Sequence, residues 1–214
     1  MAALQIRWVT MPRIAPEGVK VLTGEQASEP ESTPVEKAEK PYLVLVGESA
    51  AAGGDEFDKV ESVILKDERV ALGSRAFTCV RISPEDAAED PILSKAGKEV
   101  PRFVLVTADY KAASVLEKNK LSAGALWDGM KGAADKYYTK PLEGAVKGMR
   151  DVLIEVDKLY GERKTLTEKL DRLQEKGTAA QKKEVEDKIA ALDEKQKKIE
   201  ERQQEVWDLK AKAA

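Results

Sequence analysis

The segment PYLVLVGESAAAGGDEF, residues 41–57, has the layout of a binding loop, with an apolar run, a glycine-bearing turn and a charged helix start. A strand, a glycine turn and a helix in this order form the phosphate-binding loops of nucleotide-binding proteins. Such a loop needs Lys and Ser or Thr after its last glycine, but two carboxylates follow Gly54 and would repel phosphate. A dinucleotide turn needs G-x-G-x-x-G, and the spacing of Gly47 and Gly53 differs. The chemistry of the turn therefore excludes both kinds of nucleotide site.

Two counts restrict the catalytic chemistry further: the chain has no histidine and a single cysteine, Cys79. Without histidine there is no Ser-His or Cys-His nucleophile, and the commonest transition-metal ligand is missing. One cysteine forms neither an intramolecular disulfide nor a cysteine-rich zinc site. Cys79 lies in the apolar stretch AFTCVRI, which predicts a buried thiol. The alternative is an enzyme, either a thiol oxidoreductase that uses Cys79 or one with an unrecognised carboxylate site.

Two other polar groups carry weaker signals. Glu48 and Ser49 follow an apolar run, but the chain offers no histidine as a base for the serine. The acidic residues between positions 85 and 90 lack the D-x-[DN]-x-[DN]-G spacing of a calcium loop. A solvated, capped helix start is the favoured interpretation of that cluster. We therefore expect no metal and no cofactor.

The overall charge and hydropathy restrict the partners. A net charge of -3 gives no argument for binding to nucleic acid or to a membrane surface. No apolar run approaches the roughly 20 residues that span a bilayer, and MAALQIRWVTMPR lacks the layout of a signal peptide. We expect a cytoplasmic protein with protein partners, without nucleic acid or membrane. A charged fraction of 35% beside 5% aromatic residues indicates a modest core joined to a long, charge-rich helix.

The elements that would position these residues follow from apolar periodicity. Strands are predicted at residues 4–11, 42–46, 76–82, 100–107 and 112–116. Helices are predicted at 55–72, within 83–97 and from Ser122, whose side chain is placed to cap the helix. The continuous apolar run at 42–46 is typical of a strand covered on both faces. This order predicts an α/β fold, with a mixed sheet and helices on both faces.

A different pattern begins after Pro141, where apolar residues recur about every 3.5 positions. Gly177 interrupts the pattern, which then resumes for a similar length. Two long helices around one glycine turn predict an antiparallel α-helical coiled-coil hairpin. One uninterrupted helix paired with another chain is the alternative. Arg163, with Gln196 and Gln203 opposite, lies in the predicted seam, where it either sets the helix register or is solvated.

The stretches FDKVESVILKDERVALGSRAFTCVRISPED and KEVPRFVLVT resemble the thioredoxin-like family. KDERV stands where those proteins carry Asp-Pro-Glu-Val, and the second stretch is similar to the one that holds their cis-proline. The resemblance covers residues 4–138, with the linker as an insertion, and implies a thioredoxin-like mixed sheet. It also implies that Val100–Pro101 is a cis peptide bond. In that family the residues beside the proline pair with extended peptide, so Val100, Pro101 and Arg102 are candidate partner-binding residues.

The most informative feature of the resemblance is a departure from the family's CxxC motif. The two cysteine positions fall near Ala52 and Asp55. Thioredoxin chemistry needs a low-pKa thiolate at the helix start and a second thiol that resolves the mixed disulfide. Alanine and a carboxylate do neither, so we expect a redox-inactive member that is not an enzyme.

Together these features predict four segments. They are an N-terminal strand and irregular segment at 1–23, a polar linker at 24–40, a thioredoxin-like domain at 41–139 and a helical hairpin at 140–214. We expect a scaffold protein whose domain docks a partner and whose hairpin mediates assembly, as a homo-oligomer or within a larger complex. A holdase that grips unfolded clients with the hairpin tip is a third interpretation. The polar tip sequence KGTAAQKK argues against that grip.

Apolar residues exceed what one narrow seam needs at the predicted base of the hairpin. The candidate base interface consists of Val152, Leu159, Val206, Trp207 and Leu209. A buried tryptophan removes about 150–250 Å² from water and is disfavoured on bare solvent. We therefore expect the base to pack on the α/β domain or on a second subunit, and the charged tip to reach into solvent or a partner.

Overall fold

The computed structural model of the protein describes residues 6–9, 40–47 and 56–212. The predicted linker at 24–40, except Lys40, lies outside the described residues, as does most of the segment at 1–23. The turn at 48–55 also lies outside them, together with Glu48, Ser49 and the two predicted cysteine positions. The described residues divide into two compact units, one up to Tyr138 and one from Thr139.

The first unit is built on a five-stranded mixed sheet. Its strands are β1 Trp8–Val9, β2 Tyr42–Val46, β3 Thr78–Ile82, β4 Arg102–Val106 and β5 Ala112–Glu117. They lie side by side in the order β1-β3-β2-β4-β5. The pairs β1–β3 and β2–β3 are parallel, whereas β2–β4 and β4–β5 are antiparallel. The predicted mixed α/β architecture is therefore confirmed.

Six helices accompany the sheet in the described part of the chain. They are α1 at 56–64, α2 Glu68–Gly73, α3 Pro84–Glu89, α4 Ala123–Tyr137, α5 Leu142–Lys176 and α6 Ala179–Trp207. The second half of α1, Val60–Ile64, is π-helical. Short 3₁₀ turns occur at Ser74–Ala76 and Lys118–Lys120. None of the described helices is long and apolar enough to cross a membrane.

The core lies on both faces of β2 and β4, in which every residue is buried. On one face Val44 and Val104 belong to a cluster that includes Ala87 of α3. On the other face α4 approaches so closely that a Cβ on Gly129 would lie 2.8 Å from Leu105 Cδ1. Because apolar residues occupy both sides of these strands, YLVLV and FVLV are continuous rather than alternating. The predicted strand at 42–46 is confirmed at both ends.

The single helix predicted over 55–72 is wrong, since the chain forms α1 and α2 there. Asp67 stands between them in an extended conformation, and its Oδ1 accepts hydrogen bonds from Arg69 N at 2.9 Å and Val70 N at 3.3 Å. An aspartate in this position starts a new helix because it satisfies N–H groups that have no partner in the first turn. Apolar periodicity continues across the break, which is why it predicted one helix.

Two strands begin two residues later than predicted. The 3₁₀ turn Ser74–Ala76 occupies the chain just before β3. Before β4, Pro101 lacks the N–H that a strand ladder uses. The helix cap predicted at Ser122 is confirmed, since its Oγ accepts a hydrogen bond from Ala125 N at 3.1 Å.

The second unit consists of α5, α6 and the residues that flank them. The predicted break is confirmed, because α5 ends at Lys176 and Gly177 has no room for a side chain. A Cβ there would lie 2.6 Å from Leu173 O. Thr178 then caps α6 by accepting a hydrogen bond from Gln181 N at 3.3 Å. One uninterrupted helix is therefore not what the chain forms.

The two long helices pack against each other. Arg202 and Glu155 form an ion pair across them at 2.6 Å. Arg163 is paired with Asp193. The seam between the helices buries Val152, Leu159, Val185 and Leu192. Arg163 therefore has an ionic partner at the seam, where the sequence left open whether it sets the helix register or is solvated.

Candidate functional site

Gly47 lies between Phe57, at the start of α1, and Pro101, which precedes β4. Gly47 follows β2 and donates its N–H to Ile82 O at 3.0 Å. A Cβ on Gly47 would lie 2.9 Å from Phe57 Cε2 and 3.6 Å from Pro101 Cβ. A side chain larger than hydrogen would therefore displace the phenyl ring. Gly47, at the end of β2, is thus close to both the start of α1 and the residue before β4.

Val100 is the most accessible part of this contact. The Val100–Pro101 peptide bond is cis, which is what the resemblance implies. Pro101 is buried, whereas Val100 is 40% exposed. Among the described residues, none forms a hydrogen bond with the backbone N–H or C=O of Val100. Val100 therefore offers both an apolar side chain and backbone groups that a partner strand uses.

Arg102 faces the interior instead. It is 5% exposed, and its guanidinium donates to Glu99 O at 3.0 Å and to Leu93 O at 3.2 Å. Its Nε has no partner among the described residues. Burial lowers the pKa of Arg102, while the negative charge of Glu117 raises it. The side chain of this candidate residue therefore holds the loop before Pro101 and is turned away from solvent.

Glu117, the last residue of β5, hydrogen-bonds to the same loop before Pro101. Its Oε2 accepts hydrogen bonds from Lys98 N at 3.1 Å and Glu99 N at 3.2 Å. A Cβ on Gly97, whose φ is +80°, would lie 2.5 Å from that oxygen. Lys118 pairs with the Glu99 carboxylate at 2.5 Å. Sequence reasoning missed this clamp, because only the pairing of β4 with β5 brings Glu117 beside the loop.

Cys79 lies away from the contact and is buried, as predicted. Its Sγ donates to Ser74 O at 3.5 Å. Burial raises the pKa of the thiol to about 12. Cys79 is three residues before Ile82, where β3 ends, so about 10 Å of strand separates Cys79 from the residue that bonds to Gly47. A protonated, enclosed thiol is a poor nucleophile.

In the acidic cluster at 85–90 and its flank, polar side chains accept hydrogen bonds from backbone N–H groups of α3 and the following loop. Ser83 caps α3 by accepting a hydrogen bond from Asp86 N at 3.0 Å. Asp90 Oδ1 accepts hydrogen bonds from Ile92 N and Leu93 N, each at 2.9 Å. Its Oδ2 accepts the hydroxyl of Tyr110 at 2.5 Å. No group of acidic or cysteine side chains in the described ranges is arranged to hold a metal ion.

The residues of the predicted hairpin base lie within the second unit. Val152, Leu159 and Leu209 are buried, and Val206 and Trp207 are half-buried. Leu209 O accepts the Thr139 hydroxyl at 3.0 Å. A Cβ on Gly148 would lie 3.1 Å from Val206 Cγ2, so α5 and α6 approach closely there. Trp207 Nε1 is buried and has no partner among the described residues.

Comparisons with known proteins found no match: no protein-family model, no curated protein and no solved structure is significantly similar to the chain.

Proposed function

We propose that the protein is a non-catalytic scaffold, with a redox-inactive thioredoxin-like domain and an antiparallel coiled-coil hairpin. The domain docks an extended segment of a partner protein beside Pro101. The hairpin joins copies of the chain or links it to other subunits. The observation that carries this proposal is the contact of Gly47, Phe57 and Pro101 with the open backbone of Val100 next to it.

That contact supports the thioredoxin-like assignment. In that family the redox loop leaves a strand, enters a helix and lies beside a proline whose neighbour pairs with peptide. Here Gly47 and Phe57, which flank residues 48–55, lie next to each other, and Gly47 is close to Pro101. The mixed sheet, with α3 and α4 packed on opposite faces, agrees with the same assignment.

The rigidity of the loop supports docking. Arg102 and Glu117 bind its carbonyl and N–H groups from two strands, so Val100 is held in place before a partner arrives. Preorganised groups lose less conformational entropy on binding. A partner strand that bonds to the Val100 backbone would gain affinity from main-chain hydrogen bonds and specificity from the Val100 side chain.

The pairing of α5 with α6 supports the hairpin. Gly148 contacts Val206, Glu155 pairs with Arg202 at 2.6 Å, and Glu162 lies 4.0 Å from Lys195. As the residue number increases along α5, the number of its contact residue in α6 decreases, as in an antiparallel pair. Seam residues at alternating spacings of three and four, with charges outside, are typical of a coiled coil.

Site-specific photo-crosslinking tests the docking surface. A photoreactive phenylalanine analogue at Val100 should capture a protein partner in a lysate of the native host, to be identified by mass spectrometry. The same substitution at Val63, an apolar residue of α1 that is 56% exposed, is the matched control. Equal capture at both positions, or none at Val100, would contradict docking beside Pro101.

Insulin reduction with a dithiol donor tests the absence of redox catalysis. We expect no turnover above the donor alone, because Cys79 is buried and protonated. Reduction of insulin at the rate of an active thioredoxin would contradict the non-catalytic assignment.

A further inference from the structure

One face of α5 outside the seam carries apolar residues that the chain does not bury. We call this face the α5 stripe; it consists of Leu153, Ile154, Asp157, Tyr160, Gly161 and Lys164. Ile154 is 54% exposed and Tyr160 is 58% exposed. Since successive helical residues turn by about 100°, the six positions fall within an arc of about 120°. They form one continuous surface, distinct from the seam at Leu159.

Gly161 is the least expected residue of the stripe. A glycine in a helix interior costs about 1 kcal/mol relative to alanine. A Cβ on Gly161 would meet nothing within 4 Å, so packing among the described residues does not require glycine there. The next residue back is the exposed ring of Tyr160. Because Gly161 has no side chain, the backbone of a second helix can approach closely at this position, beside the exposed ring of Tyr160.

The charges of the α5 stripe are complementary to those of a second α5 that runs in the opposite direction. Asp157 lies three residues before Tyr160, and Lys164 lies three residues after Gly161. A two-fold axis at the level between Tyr160 and Gly161, perpendicular to both helices, would therefore set Tyr160 beside Tyr160 and Gly161 beside Gly161 of a second copy. The same axis would set Asp157 against Lys164 of that copy, twice over. Neither Asp157 nor Lys164 forms an ion pair with another described residue.

We propose that the α5 stripe is a homodimer interface, in which α5 packs antiparallel against α5 of a second copy of this chain. The interface is isologous, as in most closed dimers, because each copy contributes the same residues. The proposal rests on the proposed function, in which the hairpin mediates assembly, and specifies its partner and surface.

The cavity that borders the stripe agrees with a protein partner. It is lined by Val156, Leu159, Tyr160, Gln196, Ile199, Glu200 and Gln203, and its volume is about 150 Å³. Small-molecule sites are usually about 300–1,000 Å³. The exposed surface next to it is helical and elongated, which suits a helix better than a metabolite.

A charge-swap cycle tests the interface in the full chain. Asp157→Lys and Lys164→Asp each replace two attractive pairs with two repulsive ones, so each should raise the dimer Kd roughly tenfold. The double variant restores opposite charges and should return the Kd to the wild-type value. Within one chain the two residues are two helical turns apart, about 10 Å, so rescue requires a second copy.

Sedimentation equilibrium measures the dimer Kd of each variant, and circular dichroism checks that its helicity is unchanged. Lys198→Glu on α6 is the control and should leave the Kd unchanged.

Disulfide trapping provides a second measurement that does not depend on charge. Cys79 is buried, so the thiol of Gly161→Cys is the accessible one. Mild oxidation should join two copies of Gly161→Cys much faster than two copies of Lys198→Cys. Equal rates of cross-linking would overturn the interface.

Two other results would also overturn the proposal. One is a wild-type chain that sediments as a monomer up to about 1 mM, the concentration that marks very weak binding. The other is a dimer whose Kd the single swaps leave unchanged, or whose double swap fails to rescue it. In the latter case the hairpin or another surface still mediates assembly, and only the α5 stripe is rejected. Docking beside Pro101 is measured separately, by crosslinking at Val100.

Discussion

At the scale of single residues, burial determines what the chemistry-bearing side chains do. Cys79 and Arg102 are both enclosed, and each bonds to backbone carbonyls of its own unit. Val100, which has no reactive group, is 40% exposed. In the proposed docking site, a partner would therefore bind through main-chain hydrogen bonds and the Val100 side chain, and the enclosed Cys79 takes no part.

The buried thiol of Cys79 should make stability fall at alkaline pH. Its pKa is raised to about 12 in the folded protein, against about 8.5 in an unfolded chain. Between these values the unfolded chain releases the proton and the folded chain keeps it, so the free energy of unfolding falls by at most about 1.4 kcal/mol per pH unit. Urea unfolding at about pH 8 and about pH 10 should show a loss about 2 kcal/mol larger for the wild type than for Cys79→Val.

The control for this prediction is alkylation at neutral pH, which should be slow in the native protein and fast in urea. Native labelling as fast as that of the unfolded chain would show that Cys79 is accessible, and would revive the thiol-enzyme alternative.

Arg102 should matter more for stability than any exposed cation of its loop. Arg102→Ala leaves the carbonyls of Glu99 and Leu93 without a donor. The free energy of unfolding should fall by about 2–4 kcal/mol, since hydrogen bonds from a charged group are lost inside the protein. Arg102→Lys should restore little, because an ammonium group lacks the planar fork. Urea unfolding measures the change, with exposed Lys98→Ala as the control; equal effects would contradict the clamp.

At the scale of elements, local caps and glycines decide where helices stop. Asp67 divides a continuous apolar periodicity into α1 and α2, and Gly177 with Thr178 divides another into α5 and α6. Only the second of these breaks is visible as a glycine in the sequence. A cap therefore overrides periodicity wherever the side chain reaches the free N–H groups.

Two glycines of the long helices should respond to alanine in opposite directions. Gly161→Ala meets nothing within 4 Å and should raise the free energy of unfolding by about 0.5–1 kcal/mol. Gly177→Ala would set a Cβ 2.6 Å from Leu173 O and should lower it. Thermal unfolding followed by circular dichroism, at a concentration below any self-association, measures both. A destabilising Gly161→Ala would show that this glycine is needed within its own helix pair.

At the scale of the whole molecule, apolar burial is uneven along the helix pair. Val152, Leu159 and Leu209 are buried, whereas most residues from Leu170 to Val185 are exposed. In the proposals, the seam face of this stretch of α5 contributes stability, and the α5 stripe on another face of the same stretch mediates association. Whether the base packs on the α/β unit or on another subunit stays a prediction.

Amide hydrogen exchange should record this gradient. Protection at Val152–Tyr160 and Val206–Leu209 should exceed that at Leu170–Val185, because helical hydrogen bonds open more readily where little apolar surface is buried. Mass spectrometry of peptic fragments resolves the two ends, and fragments of the buried strand β4 provide the reference for full protection. Uniform protection along both helices would contradict the gradient.

The sequence by itself determined those features that depend on residues close together in the chain. The continuous apolar run of β2, the Ser122 cap and the break at Gly177 were all predicted and are confirmed. Absence of histidine likewise limits the chemistry without any structure. Such features depend on backbone preference, periodicity and composition, which a single chain segment carries in full.

Tertiary structure alone decided which distant residues meet and which side chains lose water. The register of β4 with β5 brings Glu117 to the loop before Pro101, and packing of that loop encloses Arg102. The resemblance placed Arg102 among the partner-binding candidates because residues beside the cis-proline of that family pair with extended peptide. Burial of an arginine is stable only when several carbonyls converge on it, and that convergence exists only in the folded chain.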